Sequence, residues 1–413
     1  MKYYPLRPIQ RWLIDTHFNK AKSTMMNIGG LYKLSPQIDT QRLESAINEV
    51  LNAYDIFRCR LVFHPETSDL CQTFDGEIMP VIIEEWTDAE FDLIIKYLSE
   101  PYDLIGKRLY RIYIFKTLSA NYFYVDFYHA IMDGVSAAII FSREIDKFYR
   151  GRKNNRKPLS YADFVEEEAN TPPEILAEGQ EYWKKMLAPF DKSKHLLPVD
   201  VEGVAAWTQG NFDYEIKNIS NEFFRETQIS ESIYFLGACM LTLAKITGSR
   251  ESIMSWIHNG RTTMREMRLM GLMLEQFPCA WDFNNDMTVE EFLHKLFGQT
   301  QISIAYRKSL DVVYNSGLED DCVSFIFQKS FHGDFTFGDM PIEPIYLPPN
   351  EISAVENALD VEIEESDKGF YNLFLDYDAS RYSEGAIKNF AETFGKILLE
   401  MQDLTTRTSQ ILR

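Results

Sequence analysis

Asn121-Tyr-Phe-Tyr-Val-Asp-Phe-Tyr128-His129-Ala-Ile-Met-Asp133-Gly134-Val-Ser136 carries a β-rich segment through one sharp turn into an apolar run that reaches Ile139. Period-2 alternation puts Phe123, Val125, Phe127 and His129 on one face of a strand, with Tyr122, Tyr124, Asp126 and Tyr128 on the other. An imidazole that extends an apolar row is unusual. Asp133-Gly134 supplies the turn, and the Asp133 carboxylate is placed to accept from the first free N–H groups of the helix that follows. Such a stretch can hold a titratable group rigidly at a strand end. It can equally be a turn and nothing more.

Working outward, Leu109 to Phe115 and Tyr122 to Tyr128 form a hairpin around Ser119-Ala-Asn121, and a helix from Val135 to Tyr149 closes the first half. Upstream, Ile9-Gln10-Arg11-Trp12-Leu13 opens a short helix and Met26 to Leu34 reads as a strand. Asp39 to Leu51 is an amphipathic helix with Leu43, Ala46, Ile47, Val50 and Leu51 on one stripe. Arg58 to Phe63, Leu70 to Phe74 and Pro80 to Glu85 are short strands, followed by a helix from Asp88 to Leu98. Gly151 to Pro158 reads as a polar linker, and helices at Tyr161 to Glu168 and Pro173 to Leu187 are expected to bridge two lobes. The second half mixes strands and helices in similar order. Its strands include Leu272 to Phe283 and Phe370 to Tyr377, and its last helix, Glu384 to Met401, has Ser383 as N-cap.

The composition bounds the function. A chain of 413 residues that is 45% hydrophobic and 25% charged has room for two domains. The excess of 62 acidic over 42 basic residues gives a net charge of −20, which argues against general affinity for nucleic acid or anionic membranes. Five scattered cysteines without Cys-x-x-Cys spacing indicate neither a disulfide framework nor a zinc site, and fit a reducing cytoplasm. The N-terminal residues lack the apolar stretch of a signal peptide, and the run Ile233 to Leu243 is shorter than the ~20 residues of a membrane span. No H-E-x-x-H, P-loop or G-x-G-x-x-G pattern occurs, so no metal site is expected.

With these residues in place, the chain resembles the condensation domains of nonribosomal peptide synthetases and their free-standing acyltransferase relatives, in the superfamily of chloramphenicol acetyltransferase. The family motif H-H-x-x-x-D-G-x-S stands here as Tyr128-His129-Ala-Ile-Met-Asp133-Gly134-Val-Ser136. Pro8-Ile-Gln10-Arg11-Trp12-Leu13, Ile56-Phe-Arg58-Cys-Arg60-Leu61, Tyr182-Trp183 and Asn259-Gly260-Arg261 with Gly271 match further family motifs in collinear order. The resemblance implies an α+β fold: two chloramphenicol acetyltransferase-like lobes in a V-shaped pseudo-dimer with a central tunnel. Residues 1–158 would form the lobe carrying the histidine, and residues 159–413 the bridging helices and second lobe.

It also implies the chemistry. An acyl group moves from a phosphopantetheine thioester, on a carrier protein or CoA, to an amine or hydroxyl, giving an amide or ester. The thioester is a co-substrate and no tightly bound cofactor is implied. His129 is the implied catalytic residue, either as a general base or as a hydrogen-bonding partner that positions the nucleophile. An imidazole with an ordinary pKa of about 6.5 is neutral enough to take a proton at cytoplasmic pH, and alignment of two bound reactants alone is worth up to ~7–11 kcal/mol. Asp133 is implied to be structural, paired with Arg261 or, as second choice, Arg58, because an unpaired buried carboxylate would be costly. Gly134 belongs to the same motif-structural set. Tyr128, Ser136, Gly271, Glu275 and Gln276 are expected at the tunnel or floor loop.

Two departures from the family pattern open other readings. Tyr128 replaces the first motif histidine, and Glu275-Gln276 stand where the family has Asn-Thr, so a catalytically silent domain that binds carrier proteins or partner enzymes is the alternative. Gly134-Val-Ser136-Ala-Ala138 also approximates the nucleophile elbow of α/β-hydrolases, although its second glycine is missing. The basic cluster Lys147, Arg150, Arg152, Lys153, Arg156 and Lys157 is either a solvated linker or a surface for an acidic carrier protein. The length matches one condensation domain, either free-standing or part of a synthetase, and the first motif lies close enough to Met1 to suggest a starter domain.

Overall fold

The computed structural model describes residues 2–20, 23–95, 98–152, 157–191, 196–203, 208–316, 322–329, 336–345, 347, 357–366 and 369–413. Local sequence explains the elements that frame the histidine motif. The helix Thr40–Ala53 starts because the Asp39 carboxylate accepts from the N–H groups of Gln41 and Arg42 at 3.0 and 3.1 Å. It buries Leu43, Ala46, Ile47, Val50 and Leu51, the stripe its periodicity predicts. The strand Asn121–Tyr128 pairs antiparallel with Tyr110–Lys116 across a turn closed by the Thr117 N–H on the Ala120 carbonyl at 2.9 Å. On its other side it pairs antiparallel with Asn27–Leu34.

The chain divides into two units, and the division is discontinuous in sequence. The first comprises Met1–Thr171, Asn259–Leu274 and Phe331–Ser353; the second comprises Pro172–His258, Glu275–Ser330 and Ala354–Arg413. This corrects the expected boundary at residue 158. The helix Tyr161–Ala169 belongs to the first unit and the helix Pro173–Leu187 to the second. Two segments of the second half return to the first unit. Residues 153–156 of the expected linker lie outside the described residues.

In the first unit, a sheet runs in the order Thr336–Phe337, Met340–Ile345, Asn27–Leu34, Asn121–Tyr128, Tyr110–Lys116, Ile82–Glu85. The two leading strands come from the late crossover segment. Ile342 pairs with Leu34, and Pro344 with Tyr32. A smaller sheet joins Tyr4–Pro5, Leu70–Thr73 and Arg60–Phe63.

The second unit has its own sheet, in the order Glu275–Asp282, Glu251–His258, Val323–Lys329, Leu359–Glu365, Tyr371–Asp378, Gln209–Ile216. Its core is organised around the helix Glu231–Thr247, which buries residues on all sides, as expected for a helix apolar all round. The last helix, Glu384–Glu400, is capped by the Ser383 hydroxyl on the Ala386 N–H at 3.2 Å. Each unit thus contains a hairpin that leads directly into a helix.

Three element expectations need correction. The helix expected from Asp88 to Leu98 spans Asp88–Ile94. The strand expected from Leu272 begins at Glu275, because the backbone of Leu272, Met273 and Leu274 is bonded to side chains instead of a strand ladder. Finally, the helix after the histidine motif is not uniform. Val135–Phe141 forms a wide π-helix before the α-helix Ser142–Tyr149. Such insertions displace side chains relative to an α-helical register and concentrate at functional sites.

Gly260 holds the returning loop in a left-handed turn, with φ of +67°, and a Cβ there would lie 1.6 Å from the Met273 carbonyl oxygen. Gly260→Ala is therefore expected to destabilise the first unit by more than ~1 kcal/mol, measured as a lowered urea midpoint. An unchanged midpoint would contradict the close approach.

Candidate functional site

The site is built at the end of the strand Asn121–Tyr128. The His129 N–H donates to the Met26 carbonyl at 2.8 Å, and the N–H of Met132 returns to the His129 carbonyl at 3.2 Å. These bonds fix the histidine backbone at the strand end and turn the chain. The next residue, Ala130, is tethered by its carbonyl, which accepts from Gln10 Nε2 at 2.8 Å. Gln10 and Gln72 exchange amide hydrogen bonds at 3.1 and 2.9 Å, and Gln72 also donates to the Pro5 carbonyl. Both glutamines are fully buried. This amide pair had no assigned role in the sequence. The only signal was Gln10 itself, a polar residue in the opening motif.

His129 is partly accessible between buried neighbours, but its Nδ1 is sealed from solvent and, among the described residues, has no hydrogen-bond partner. The ring can therefore meet a substrate only through its other edge. Burial pulls the imidazole pKa below its ordinary value, while its own backbone, the Asp133 charge and the Met132 backbone oppose that pull. A neutral imidazole keeps one ring nitrogen with a lone pair that can accept a proton.

Asp133 is locked rather than free. Its carboxylate receives both ends of the Arg261 guanidinium, Nη1 at 2.8 Å and Nη2 at 3.1 Å. It also accepts from the N–H groups of Ser136 at 2.7 Å, Met273 at 2.7 Å and Leu274 at 3.2 Å. The Nη nitrogens of Arg261 also donate to the Ser136 hydroxyl at 2.7 Å and to the carbonyls of Asn259 and Leu269, while among the described residues its buried Nε meets no partner. The arginine side chain is 0% exposed and the aspartate 3%. Of the two partners expected for Asp133, the one it meets is Arg261. The Arg58 guanidinium instead reaches the Gly76 carbonyl at 3.4 Å.

Ser136 cannot act as a nucleophile. Its hydroxyl donates to the Gly271 carbonyl at 2.7 Å and accepts from the Gly271 N–H at 3.0 Å and from Arg261, in a fully buried position. The hydrolase-elbow reading ends there. Gly271 must be glycine, since a Cβ would lie 2.3 Å from the Tyr161 ring. The adjacent Leu272 carbonyl accepts from Tyr161 Oη at 2.8 Å and from Arg7 Nη1 at 2.6 Å, two further tethers that sequence reading missed.

Tyr128 points away from this cluster. Its ring packs edge-on to His17 at 5.5 Å and against Tyr102 at 5.7 Å, and among the described residues its buried hydroxyl has no partner. Burial raises its pKa. Glu275 and Gln276 are buried at the start of a strand in the second unit, where Glu275 pairs in register with His258. Gly134 has an ordinary helical backbone, φ −57° and ψ −41°, so the motif does not need its conformational freedom. In the basic cluster, Arg150 is committed to Asp146 at 2.7 Å and Asp339 at 2.6 Å, and Lys147 to Glu144 at 3.2 Å. Lys153 and Arg156 lie outside the described residues. Among the described residues, no group of three or more His, Cys, Asp or Glu could hold a metal ion, and no single helix is long and apolar enough to cross a membrane.

Comparison with known proteins decides what this geometry belongs to. The family described as Condensation domain matches residues 1–411. The chain belongs to the condensation-domain family. Gramicidin S synthase 2 of Aneurinibacillus migulanus is 22% identical over 97% of this condensation domain, which spans 9% of that protein's length. Among solved structures, the condensation domain from the monacolin K polyketide synthase MokA superposes with a TM-score of 0.80 at 16% identity, covering 99% of each chain. The X-domain from teicoplanin biosynthesis, solved in complex with OxyB, gives 0.78 at 16% identity, covering 100% of this chain and 96% of that one. The α+β fold of the chloramphenicol acetyltransferase superfamily follows from these likenesses.

Breaking the buried pair tests its structural role in this condensation domain. Arg261→Ala leaves the Asp133 charge without a counter-ion and is expected to destabilise the protein by ~3–5 kcal/mol. Arg261→Lys, which keeps the charge but loses the fork, should fall between. Both are read from chemical unfolding curves.

Proposed function

We propose that this condensation domain transfers an acyl group from a phosphopantetheine thioester to an amine or hydroxyl acceptor, with His129 as the residue that handles the proton. The donor arm is carried by a carrier protein or by CoA. The observation that carries the reading is the His129 ring itself: its Nδ1 is sealed, its pKa is lowered by burial, and its backbone is fixed at the strand end.

In this reading the acceptor nitrogen or oxygen attacks the thioester carbonyl, and a new C–N or C–O bond forms as the C–S bond breaks. The acceptor's proton passes to His129 Nε2 and then to the departing thiolate. The histidine ends the cycle neutral. Asp133 and Arg261 act by holding the turn beneath it, not by touching the substrate. Gln10 acts likewise through the Ala130 carbonyl.

A second reading is a catalytically silent domain that binds carrier proteins or partner enzymes. Two observations favour it: Tyr128 replaces the first motif histidine, and the similar teicoplanin X-domain was solved bound to OxyB. Against it stands the placement of Tyr128, whose ring packs on His17 and Tyr102 and leaves the His129 turn intact.

The test is product formation followed by mass spectrometry with a panel of acyl donors and acceptors. His129→Ala is expected to lower turnover by ~10²–10⁴-fold if the ring carries the proton. Undiminished turnover would remove the catalytic assignment, and no product from the unaltered protein across the panel would favour the silent reading. The pH dependence has a definite sign. Protonated His129 cannot accept a proton and its pKa is lowered, so kcat/KM should fall on the acid side with a midpoint below pH 6.5, leaving full activity at neutral pH.

A further inference from the structure

The second unit holds a partly open cleft of about 810 Å³ that the transfer reading leaves unused. It is lined from the helices Asn221–Thr227, Glu231–Thr247 and Val289–Ala305, and by Lys329 and Glu365, the last residues of two strands. Every lining residue belongs to this one unit, whereas His129 belongs to the other. The first two helices meet at 101°, in a corner that Gln228 turns with a left-handed backbone, φ +59°. Phe224, Ile229, Ile233 and Leu293 give the cleft a buried apolar wall, and Phe297 beside them is 47% exposed. A molecule covering that row would remove hydrocarbon from water.

The polar groups of the cleft sort into two sets. In the first, the carboxylates are engaged: Glu231 and Glu365 share Lys329 at 2.8 and 3.9 Å, and Asn221 Nδ2 donates to Glu365 at 2.8 Å. Asn221 is itself held by the buried Tyr371 hydroxyl. In the second set, the side chains are free. Arg225 and His294 make no ion pair or side-chain hydrogen bond among the described residues, and the Ser230 hydroxyl, at the N-cap of its helix, caps nothing. These are a permanent cation, an imidazole with an N–H in either protonation state, and a hydroxyl, so all three can donate. In a chain of net charge −20, a place where the acids are taken and the donors are free favours an anion.

We infer that this cleft binds an amphipathic carboxylate of the fatty-acid class, its alkyl body against Phe224, Leu293 and Phe297 and its carboxylate at Arg225, His294 and Ser230. Size favours a small molecule. With about 150 Å³ per bound benzene, 810 Å³ admits up to about thirty non-hydrogen atoms. A stable protein interface takes about 20–30 residues on each side, and thirteen of the described residues line this cleft. An apolar wall with a few convergent polar groups is the lining that small-molecule sites share. The inference does not depend on the transfer reading, because no group it uses lies in the unit that carries His129.

Decanoate, decanol and decyltrimethylammonium, titrated calorimetrically into the full protein below their micellar concentrations, provide the test. They share an alkyl body and differ in the head group. Decanoate is expected to bind on the order of tenfold tighter than decanol, with the ammonium weakest. Arg225→Gln should weaken decanoate about fivefold, the size of one exposed ion pair, and leave decanol unchanged. Phe297→Ala should weaken both about tenfold. Both positions are exposed, and a thermal unfolding midpoint equal to the parent's confirms that each variant is folded.

His129→Ala should bind decanoate as the parent does, whatever its effect on transfer. Loss of decanoate binding in that variant would assign the anion to the histidine site and overturn the cleft. Equal affinity for the three head groups, no binding of decanoate, or a decanoate affinity that Arg225→Gln and Phe297→Ala both leave unchanged would also overturn it.

Discussion

Everything near the histidine depends on one buried ion pair. Asp133 and Arg261 are separated by 128 positions in sequence and are almost entirely removed from water. Removing two charges from solvent is costly, and their attraction offsets that cost only when geometry and additional hydrogen bonds are favourable. Both conditions hold. The guanidinium meets the carboxylate with two nitrogens, and three backbone N–H groups fill the remaining acceptor positions of Asp133. The same arginine fixes the Ser136 hydroxyl, which in turn bonds both the N–H and the carbonyl of Gly271. The pair joins the turn after His129 to a loop from the second half of the chain.

That arrangement separates support from chemistry. The polar side chains that follow His129 in the motif, Asp133 and Ser136, are occupied by partners. The imidazole is the group left with an available face. With that carboxylate and that hydroxyl saturated, His129 is the titratable group of the motif that keeps an accessible side chain. Saturation also keeps that residue's surroundings rigid, since moving the turn would break several buried hydrogen bonds at once.

Elements governed by nearby residues were legible in the sequence. The stripe Leu43 to Leu51, the Ser383 cap and the hairpin before His129 each follow from residues within one or two turns of each other. The Arg261 partnership was legible only through the family motif, because nothing local links it to Asp133. The crossover strand Met340–Ile345 was missed for a physical reason: Pro341 and Pro344 remove ladder donors and weaken any strand reading. The π-helical turn left no mark either, since Val135 to Phe141 has the composition of an ordinary buried helix. Gln10 and Gln72 were hidden because a buried amide pair is defined by its partner, which lies 62 positions away.

The crossover strands have a consequence for how the chain is made. During synthesis the strand Asn27–Leu34 emerges early, but its neighbour Met340–Ile345 leaves the ribosome some three hundred residues later. For all that interval Asn27–Leu34 is an open edge, with unpaired backbone groups that invite pairing with another chain. The Arg261 partner of Asp133 is also absent for most of it. Vectorial folding of the first unit therefore cannot finish before the second is largely translated, and such long-range closure is slow. A nascent chain stalled between the two would expose both an unsatisfied carboxylate and a free sheet edge, the features that quality-control machinery and aggregation both recognise.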